Sequence, residues 1–233
     1  MKIMRVMTFN IQHALDFKNK VINTDLFADA IKQNSVDICG LNEVRGEGPV
    51  EGYTDQTNTI ADALGYNRYF AQAVMVEGTS PYGNALVSKY PIISSETVPI
   101  SKVRFKLLFK YHEPRCVLKA VVDIRGKKVC IMVCHMGLSG GERKMAVKTI
   151  GNLLDSTDLP VILIGDFNTT PDDKVFTPLF KRLKSVDTSE PTFPSDKPEI
   201  KIDYIFYRGL DCVYSETVKD IYADHLPVIA DFK

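Results

Sequence analysis

Carboxylate, carboxamide and imidazole side chains recur at the ends of strongly apolar runs. Asn10 closes the run that opens the chain, Asn42-Glu43 follows the second, His135 follows Val129-Cys130-Ile131-Met132-Val133-Cys134, and Gly165-Asp166-Phe167-Asn168 ends the next. Asp203 and the pair Asp224-His225 come later. Any one of these reads as a turn former or cap, because Asn and Asp hydrogen-bond their own backbone after a strand. As a set they are hard to attribute to turns alone. A carboxylate such as Glu43 is a hard oxygen ligand for Mg2+ or Mn2+, and an imidazole with an acidic neighbour moves protons near neutral pH. Polar groups placed after buried strands converge on one rim of a layered α/β protein, where a reacting group can be surrounded.

Two other chemistries compete for parts of the set. Cys130, Cys134 and His135 suggest zinc, but no second Cys/His cluster completes a tetrahedral site. On one strand, four residues at roughly 3.3 Å each put the two thiols about 13 Å apart, beyond the Cα separation of about 7 Å that a disulfide tolerates. They are expected to be core thiols. Gly137-Leu138-Ser139-Gly140-Gly141 fits the G-x-S-x-G nucleophile elbow, with Asp166 and His225 following in serine-hydrolase order. Ser139 also stands three residues before Glu142, in capping-box spacing. A Ser139 nucleophile leaves Asn10, Glu43, Asn168 and Asp203 without a task.

The elements that would carry these residues are mostly strands, expected at residues 3–10, 36–42, 68–76, 83–88, 92–100, 116–124, 128–135, 161–166, 202–207, 213–218 and 228–232. Several are β-branched without alternation, a pattern of strands buried on both faces. Helical periodicity marks 24–33, with Leu26, Phe27, Ala30 and Ile31 on one face. Further helices are expected at 58–64, stopping at Gly65, and at 141–154, with a shorter one after Pro171. The proline-rich stretch 190–198 reads as a surface loop.

Composition narrows the class. The 233 residues suit one domain spanning 1–233, and 45% hydrophobic with 25% charged residues supports a large core. Lys plus Arg and Asp plus Glu are both 29, so the formal net charge is zero. That excludes a strongly basic duplex-binding protein held by counterion release. No apolar run is long enough to span a bilayer, and the first residues lack a signal-peptide pattern. With five cysteines in no framework spacing, a cytoplasmic monomer is expected.

Thr8-Phe9-Asn10-Ile11, Leu41-Asn42-Glu43-Val44, Gly83-Asn84-Ala85-Leu86-Val87-Ser88, Gly165-Asp166-Phe167-Asn168, Ile202-Asp203-Tyr204-Ile205 and Ala223-Asp224-His225-Leu226-Pro227-Val228 stand in one order along nearly the whole chain. In these motifs the sequence resembles the endonuclease/exonuclease/phosphatase superfamily, as a small bacterial-type member. The resemblance implies the deoxyribonuclease-I-like fold, a four-layered α/β sandwich of two packed mixed sheets flanked by helices, and metal-dependent cleavage of phosphate esters. It makes Glu43 the main ligand of Mg2+ or Mn2+, with Asn10 and Asp224 close by. His225 becomes the general base or the group that neutralises the pentavalent phosphate, with Asp203 orienting its ring, and Asp166 aligns or deprotonates the attacking water. Asn10, Asn168, His135 and Arg115 are expected to bind the phosphate, with His135 and Asn168 counted among the catalytic groups. A catalytically dead binding module is disfavoured because all these positions are filled.

The substrate is less constrained. Asn42 stands where the abasic-site endonucleases of this superfamily have Gln, and there is no Trp. A phosphodiester or phosphomonoester of a small molecule or lipid head group is favoured, with DNA or RNA second. Lys102, Arg104, Lys106, Lys110 and Arg115 face one acid, Glu113, in a stretch that either contacts a polyanion or protects a strand edge. Arg115 could instead pair with Glu113. His13 and His112 read as loop histidines rather than ligands.

Overall fold

Strands that are apolar on both faces need cover on both faces, and two stacked six-stranded sheets between helices supply it. The computed structural model describes residues 4–49, 53–101 and 113–233. The expectations for Ile3, Lys102, Arg104, Lys106, Lys110 and His112 lie outside the described residues. In chain order the elements are β1 (Met4–Asn10), α1 (Thr24–Gln33), β2 (Ile38–Arg45), α2 (Gln56–Leu64), β3 (Asn67–Val76), β4 (Ser80–Ser88), β5 (Ile92–Pro99), β6 (Cys116–Ile124), β7 (Lys127–His135), α3 (Gly140–Asp155), β8 (Val161–Asp166), α4 (Thr177–Phe180), β9 (Lys184–Ser185), β10 (Asp203–Arg208), β11 (Cys212–Thr217) and β12 (Val228–Phe232). Short 3-10 turns occupy Gln12–Ala14 and Lys174–Phe176.

The first sheet runs β11-β12-β1-β2-β4-β3 and the second β5-β6-β7-β8-β10-β9. Each has a parallel pair at its centre, β1 with β2 and β7 with β8, and the other pairings are antiparallel. A parallel pair needs a crossover connection, here through α1 and through α3. The crossover returns the chain so that both strands of a pair end on the same edge. Asn10 is therefore in register with Asn42, and His135 with Asp166.

Three apolar clusters hold the four layers. Val6, Ile38, Leu86, Val133, Ile164 and Ile205 fill the space between the sheets. Phe9, Phe27, Ile31, Leu41 and Ile60 join the first sheet to α1 and α2, while Met132, Ile150, Phe167, Phe176 and Phe206 join the second to α3 and α4. All five cysteines are free, and Cys130 and Cys134 lie in the cluster under α3, where burial pushes the Cys130 thiol up to about 11. Among the described residues no helix is long and apolar enough to cross a membrane.

Two expected boundaries are corrected. The second strand does not end at Asn42 but continues to Arg45 through a bulge, with a register shift between Leu41 and Val44 and Glu43 at φ 59°. A bulge re-aims one side chain without ending the strand, and here that side chain is Glu43. The stretch 190–198 is not merely a surface loop: Thr192 and Ser195 are buried, and Phe193 bridges to Ile200.

Ser139 caps α3. Its Oγ accepts from the Glu142 backbone N–H at 3.3 Å while the Glu142 carboxylate accepts from the Ser139 N–H at 3.0 Å. This hydroxyl is a helix cap, and the buried histidines have other partners. Ser139→Ala is expected to lower the unfolding free energy by about 1 kcal/mol and to leave turnover intact. Urea unfolding beside a steady-state assay checks both, and labelling of Ser139 by a serine-directed phosphonate is the result that contradicts the capping role.

Candidate active site

The two parallel pairs deliver their last residues to one rim, and a carboxamide connects them. Asn10 Nδ2 donates to Glu43 Oε1 at 3.1 Å and to Asp166 Oδ2 at 3.2 Å, while Asn10 Oδ1 accepts from the Gln12 N–H at 3.1 Å. Asn10 was expected to lie near the metal as a ligand. As placed, it turns N–H toward both carboxylates and engages its oxygen elsewhere, so it spaces Glu43 from Asp166. Beneath the rim, Asn42 crosses between sheets. Its Nδ2 donates to Asn84 Oδ1 at 2.8 Å and to the Cys134 carbonyl at 3.2 Å, and its Oδ1 accepts from the Asp166 N–H at 2.9 Å. Gly165 permits this junction: it has φ 146°, and a Cβ there would come 1.8 Å from the Cys134 carbonyl oxygen.

Asp166 is the hub, with only 2% of its surface exposed. Its Oδ2 lies 3.4 Å from His135 Nε2 and 3.8 Å from His225 Nε2, and its Oδ1 accepts from the Asn168 N–H at 2.8 Å. His225 Nδ1 is 2.9 Å from Asp203 Oδ2. Arg115 Nη1 is 2.7 Å from His135 Nδ1 and 3.2 Å from Glu113 Oε1. A guanidinium only donates, so His135 Nδ1 accepts and its proton sits on Nε2, facing Asp166. Arg115 thus pairs with Glu113 and also reaches into the site. Asn168, at φ 48°, donates Nδ2–H to the Met136 carbonyl at 2.9 Å, which anchors the loop after β7.

The electrostatics sort the two histidines. Burial, helped by the Arg115 and His225 charges, holds His135 well below its ordinary value, so it is neutral. Burial also acts to lower His225, but Asp203, Asp166 and Asp224 together overcome it and raise His225 to about 10. Asp166 is raised to about 7, first by burial and then by the Asp203 charge. Near neutral pH the site holds an imidazolium beside a carboxyl group able to gain or lose a proton.

Several residues here were not singled out from the sequence. Thr192 Oγ1 accepts from the N–H groups of Ile202 and Asp203, both at 3.2 Å, and the Thr192 carbonyl accepts from Leu226 N–H. Ser195 donates its N–H to the Asp224 carbonyl and its hydroxyl to Ala223. The Phe193 ring lies 4.8 Å from the His225 ring. This segment therefore clamps the backbones that present Asp203, Asp224 and His225. Burial, and after it the nearby Glu43 charge, pushes the Tyr82 hydroxyl far up. The available signal was Thr192-Phe193-Pro194, which begins eleven residues before Asp203, inside what read as a loop. Thr192→Val leaves two buried donors without an acceptor, at about 1–3 kcal/mol each. It is expected to destabilise the fold and distort the pH–rate profile set by Asp203 and His225, whereas Thr192→Ser keeps both; urea unfolding and pH–rate curves separate the two variants.

A divalent cation fits the Glu43 side of the rim. Asp224 Oδ1 is buried without a hydrogen-bond partner, and burial together with the Glu43 charge raises the Asp224 carboxyl. Two carboxylates near enough for their charges to interact, one with an orphaned oxygen, suit a hard divalent cation. Asp166, Asp203 and His225 also place one ligand atom each within 4.8 Å of one another. His225 is the weaker candidate ligand, because its Nδ1 is engaged with Asp203 and its ring is protonated at neutral pH.

Known proteins resemble this chain in sequence and in fold. The chain is 28% identical to a protein of Escherichia coli called uncharacterized protein YbhP, over 231 residues covering 88% of this chain and 85% of that protein. A solved endonuclease/exonuclease/phosphatase from Beutenbergia cavernae superposes with a TM-score of 0.81 at 24% identity, over 100% of this chain and 72% of the other. A mannosyl-6-phosphatase from Bacteroides thetaiotaomicron superposes with a TM-score of 0.75 at 17% identity, over 99% of each chain. The family model covers residues 7–225, from inside β1 to His225, and so takes in every polar group on the rim: the chain belongs to the endonuclease/exonuclease/phosphatase family.

Proposed function

We propose that the protein hydrolyses a phosphodiester or phosphomonoester of a small molecule or lipid head group, by in-line attack of water and with Mg2+ or Mn2+ as cofactor. The observation that carries this reading is the continuous chain Glu43–Asn10–Asp166–His225–Asp203, in which a carboxylate fit for a cation is held one carboxamide away from an acid–base group and an imidazolium. Asp166, raised to about 7, takes a proton from the attacking water near its own titration point, where general-base catalysis is most effective. His225, held protonated by Asp203, neutralises the charge that builds on the phosphate oxygens. His135, neutral with its Nε2–H toward the centre, adds a donor, and Arg115 fixes its tautomer. When bound by Glu43 and Asp224, the cation supplies Lewis-acid stabilisation of phosphate charge.

Zero net charge argues against a surface that tracks a nucleic-acid backbone. The test is product release from p-nitrophenyl phosphate, bis-p-nitrophenyl phosphate, inositol phosphates, DNA and RNA after chelation, with and without added Mg2+ or Mn2+. Cation-dependent turnover of a small ester is expected. Preference for DNA or RNA over every small ester replaces the substrate assignment, and turnover unaffected by chelation overturns the metal assignment.

A further inference from the structure

Three arginines stand near the rim, and their partners differ. Arg115 is matched by Glu113, and Arg143 by Asp173 while its Nη1 also holds the Asn168 carbonyl. Arg45 has no carboxylate partner among the described residues; its Nε is buried without an acceptor, as are those of Arg115 and Arg143. Its guanidinium lies 4.0 Å over the ring of buried Tyr53, a platform that orients a cation and weakens its hydration.

The surrounding backbone is built to hold Arg45 beside Glu43. Gln12, His13 and Ala14 all have left-handed backbone, at φ 45°, 49° and 60°. Such backbone is sterically strained for residues with a Cβ, so the turn persists only where its surroundings over-determine it. Asn10 accepts from the Gln12 N–H. Gln56, fully buried, donates Nε2–H to the His13 carbonyl at 2.7 Å and accepts from the Arg45 N–H at 2.9 Å through Oε1. One glutamine thus ties the strained turn to the residue two positions past Glu43. His13, set aside in the sequence as a loop histidine, lies where the charges of both Arg45 and Glu43 act on it.

A strained, doubly anchored corner that presents a cation without a carboxylate partner two residues past Glu43 is an anion-binding arrangement. We infer that Arg45, stacked on Tyr53 and flanked by His13, is a subsite for a second anionic group of the substrate, a phosphoryl group on the part of the molecule remote from the bond that is cut. The inference rests on the phosphoesterase reading and narrows it to small esters carrying two phosphoryl groups.

Binding and turnover test the two ideas separately. Methylphosphonate and a series of alkylenediphosphonates (ethylene, propylene, butylene) are titrated calorimetrically into the wild type, Arg45→Met and Arg45→Lys. At least one diphosphonate is expected to bind the wild type about tenfold or more tighter than methylphosphonate, in line with a charge-assisted hydrogen-bonded contact. Arg45→Met is expected to abolish that preference and leave methylphosphonate affinity within twofold. Arg45→Lys keeps the charge but loses the planar fork, and should retain part of the preference; it also serves if the methionine variant does not fold. Equal weakening of mono- and diphosphonates overturns the subsite in favour of a structural role, as does a wild type with no preference for any diphosphonate. Turnover of p-nitrophenyl phosphate, which carries one phosphoryl group, is measured in parallel. It is expected to stay within twofold in Arg45→Met, and its absence in the wild type counts against the phosphoesterase reading while leaving the titrations to judge Arg45.

Discussion

His225→Ala is expected to lower kcat by roughly 10²- to 10⁴-fold, the usual contribution of a positioned acid or base. The ring sits between Asp203 at 2.9 Å and Asp166 at 3.8 Å with 5% of its surface exposed, so no solvent group replaces it readily. The pH profile separates its role from that of Asp166. Asp166, raised to about 7, accepts a proton only when ionised, so the rate should climb as pH rises through about 7. His225, raised to about 10, supplies positive charge only when protonated, so the rate should fall as pH rises through about 10. The two limbs belong to the coupled Asp166–His225–Asp203 cluster rather than to isolated groups. Asp166→Asn should remove the acid limb and His225→Gln the alkaline one. Linkage gives a second check. A histidine whose folded value is raised stabilises the fold fully below its ordinary 6.5, and that stabilisation is lost as pH rises from there through about 10. Wild type and His225→Gln should therefore converge in urea stability on the alkaline side. A His225→Ala enzyme within threefold of wild type refutes the assignment.

The rim was legible in the sequence because its residues close strands whose apolar pattern is unambiguous. Asp166 and His135 end runs with no polar interruption, so the strand ends could be placed to the residue. Glu43 was located correctly while its backbone was misread: a bulge leaves no compositional mark when Leu41-Asn42-Glu43-Val44 continues into more strand, and its left-handed φ at a glutamate runs against local preference. The Thr192–Ser195 clamp was missed for the opposite reason. Prolines and exposed neighbours dominate 190–198, and the burial of Thr192 comes from contacts with Asp203 and Leu226, which lie 11 and 34 residues away in sequence. Long-range satisfaction of backbone donors has no periodic signature. Arg45 escaped for a similar cause: its lack of a carboxylate partner among the described residues is a property of the packed structure and cannot be read from a neighbouring letter. Asn42 and Asn84 both stand in recognisable motifs, yet their function as buried cross-sheet ties, Asn42 to Cys134 and Asp166 and Asn84 to Cys116, appears only when the sheets are stacked.

Glu43→Gln is expected to cost roughly 10²-fold or more in turnover, since loss of a cation-holding carboxylate removes several kcal/mol of charge stabilisation at the phosphate. The substitution is nearly isosteric and keeps an acceptor for Asn10, so the fold should survive it. That separates charge from packing. If Glu43 served only to receive the Asn10 hydrogen bond, the variant would lose little, since Gln keeps an acceptor for it and one hydrogen bond is worth about 0.5–1.5 kcal/mol. The discriminating measurement is a Mg2+ titration of chelator-treated protein, following both turnover and melting temperature. Wild type should gain activity and thermal stability together as the cation binds to folded protein. Glu43→Gln should need far more Mg2+ for either. Asp224→Asn should shift both curves in the same direction, because Asp224 Oδ1 is a buried oxygen without a hydrogen-bond partner among the described residues and its carboxyl feels the Glu43 charge. A wild-type curve insensitive to Mg2+ and Mn2+, or a Glu43→Ala enzyme that turns over in chelator, would move the cation away from this pair and leave the Asn10-bridged carboxylates to act by proton transfer alone.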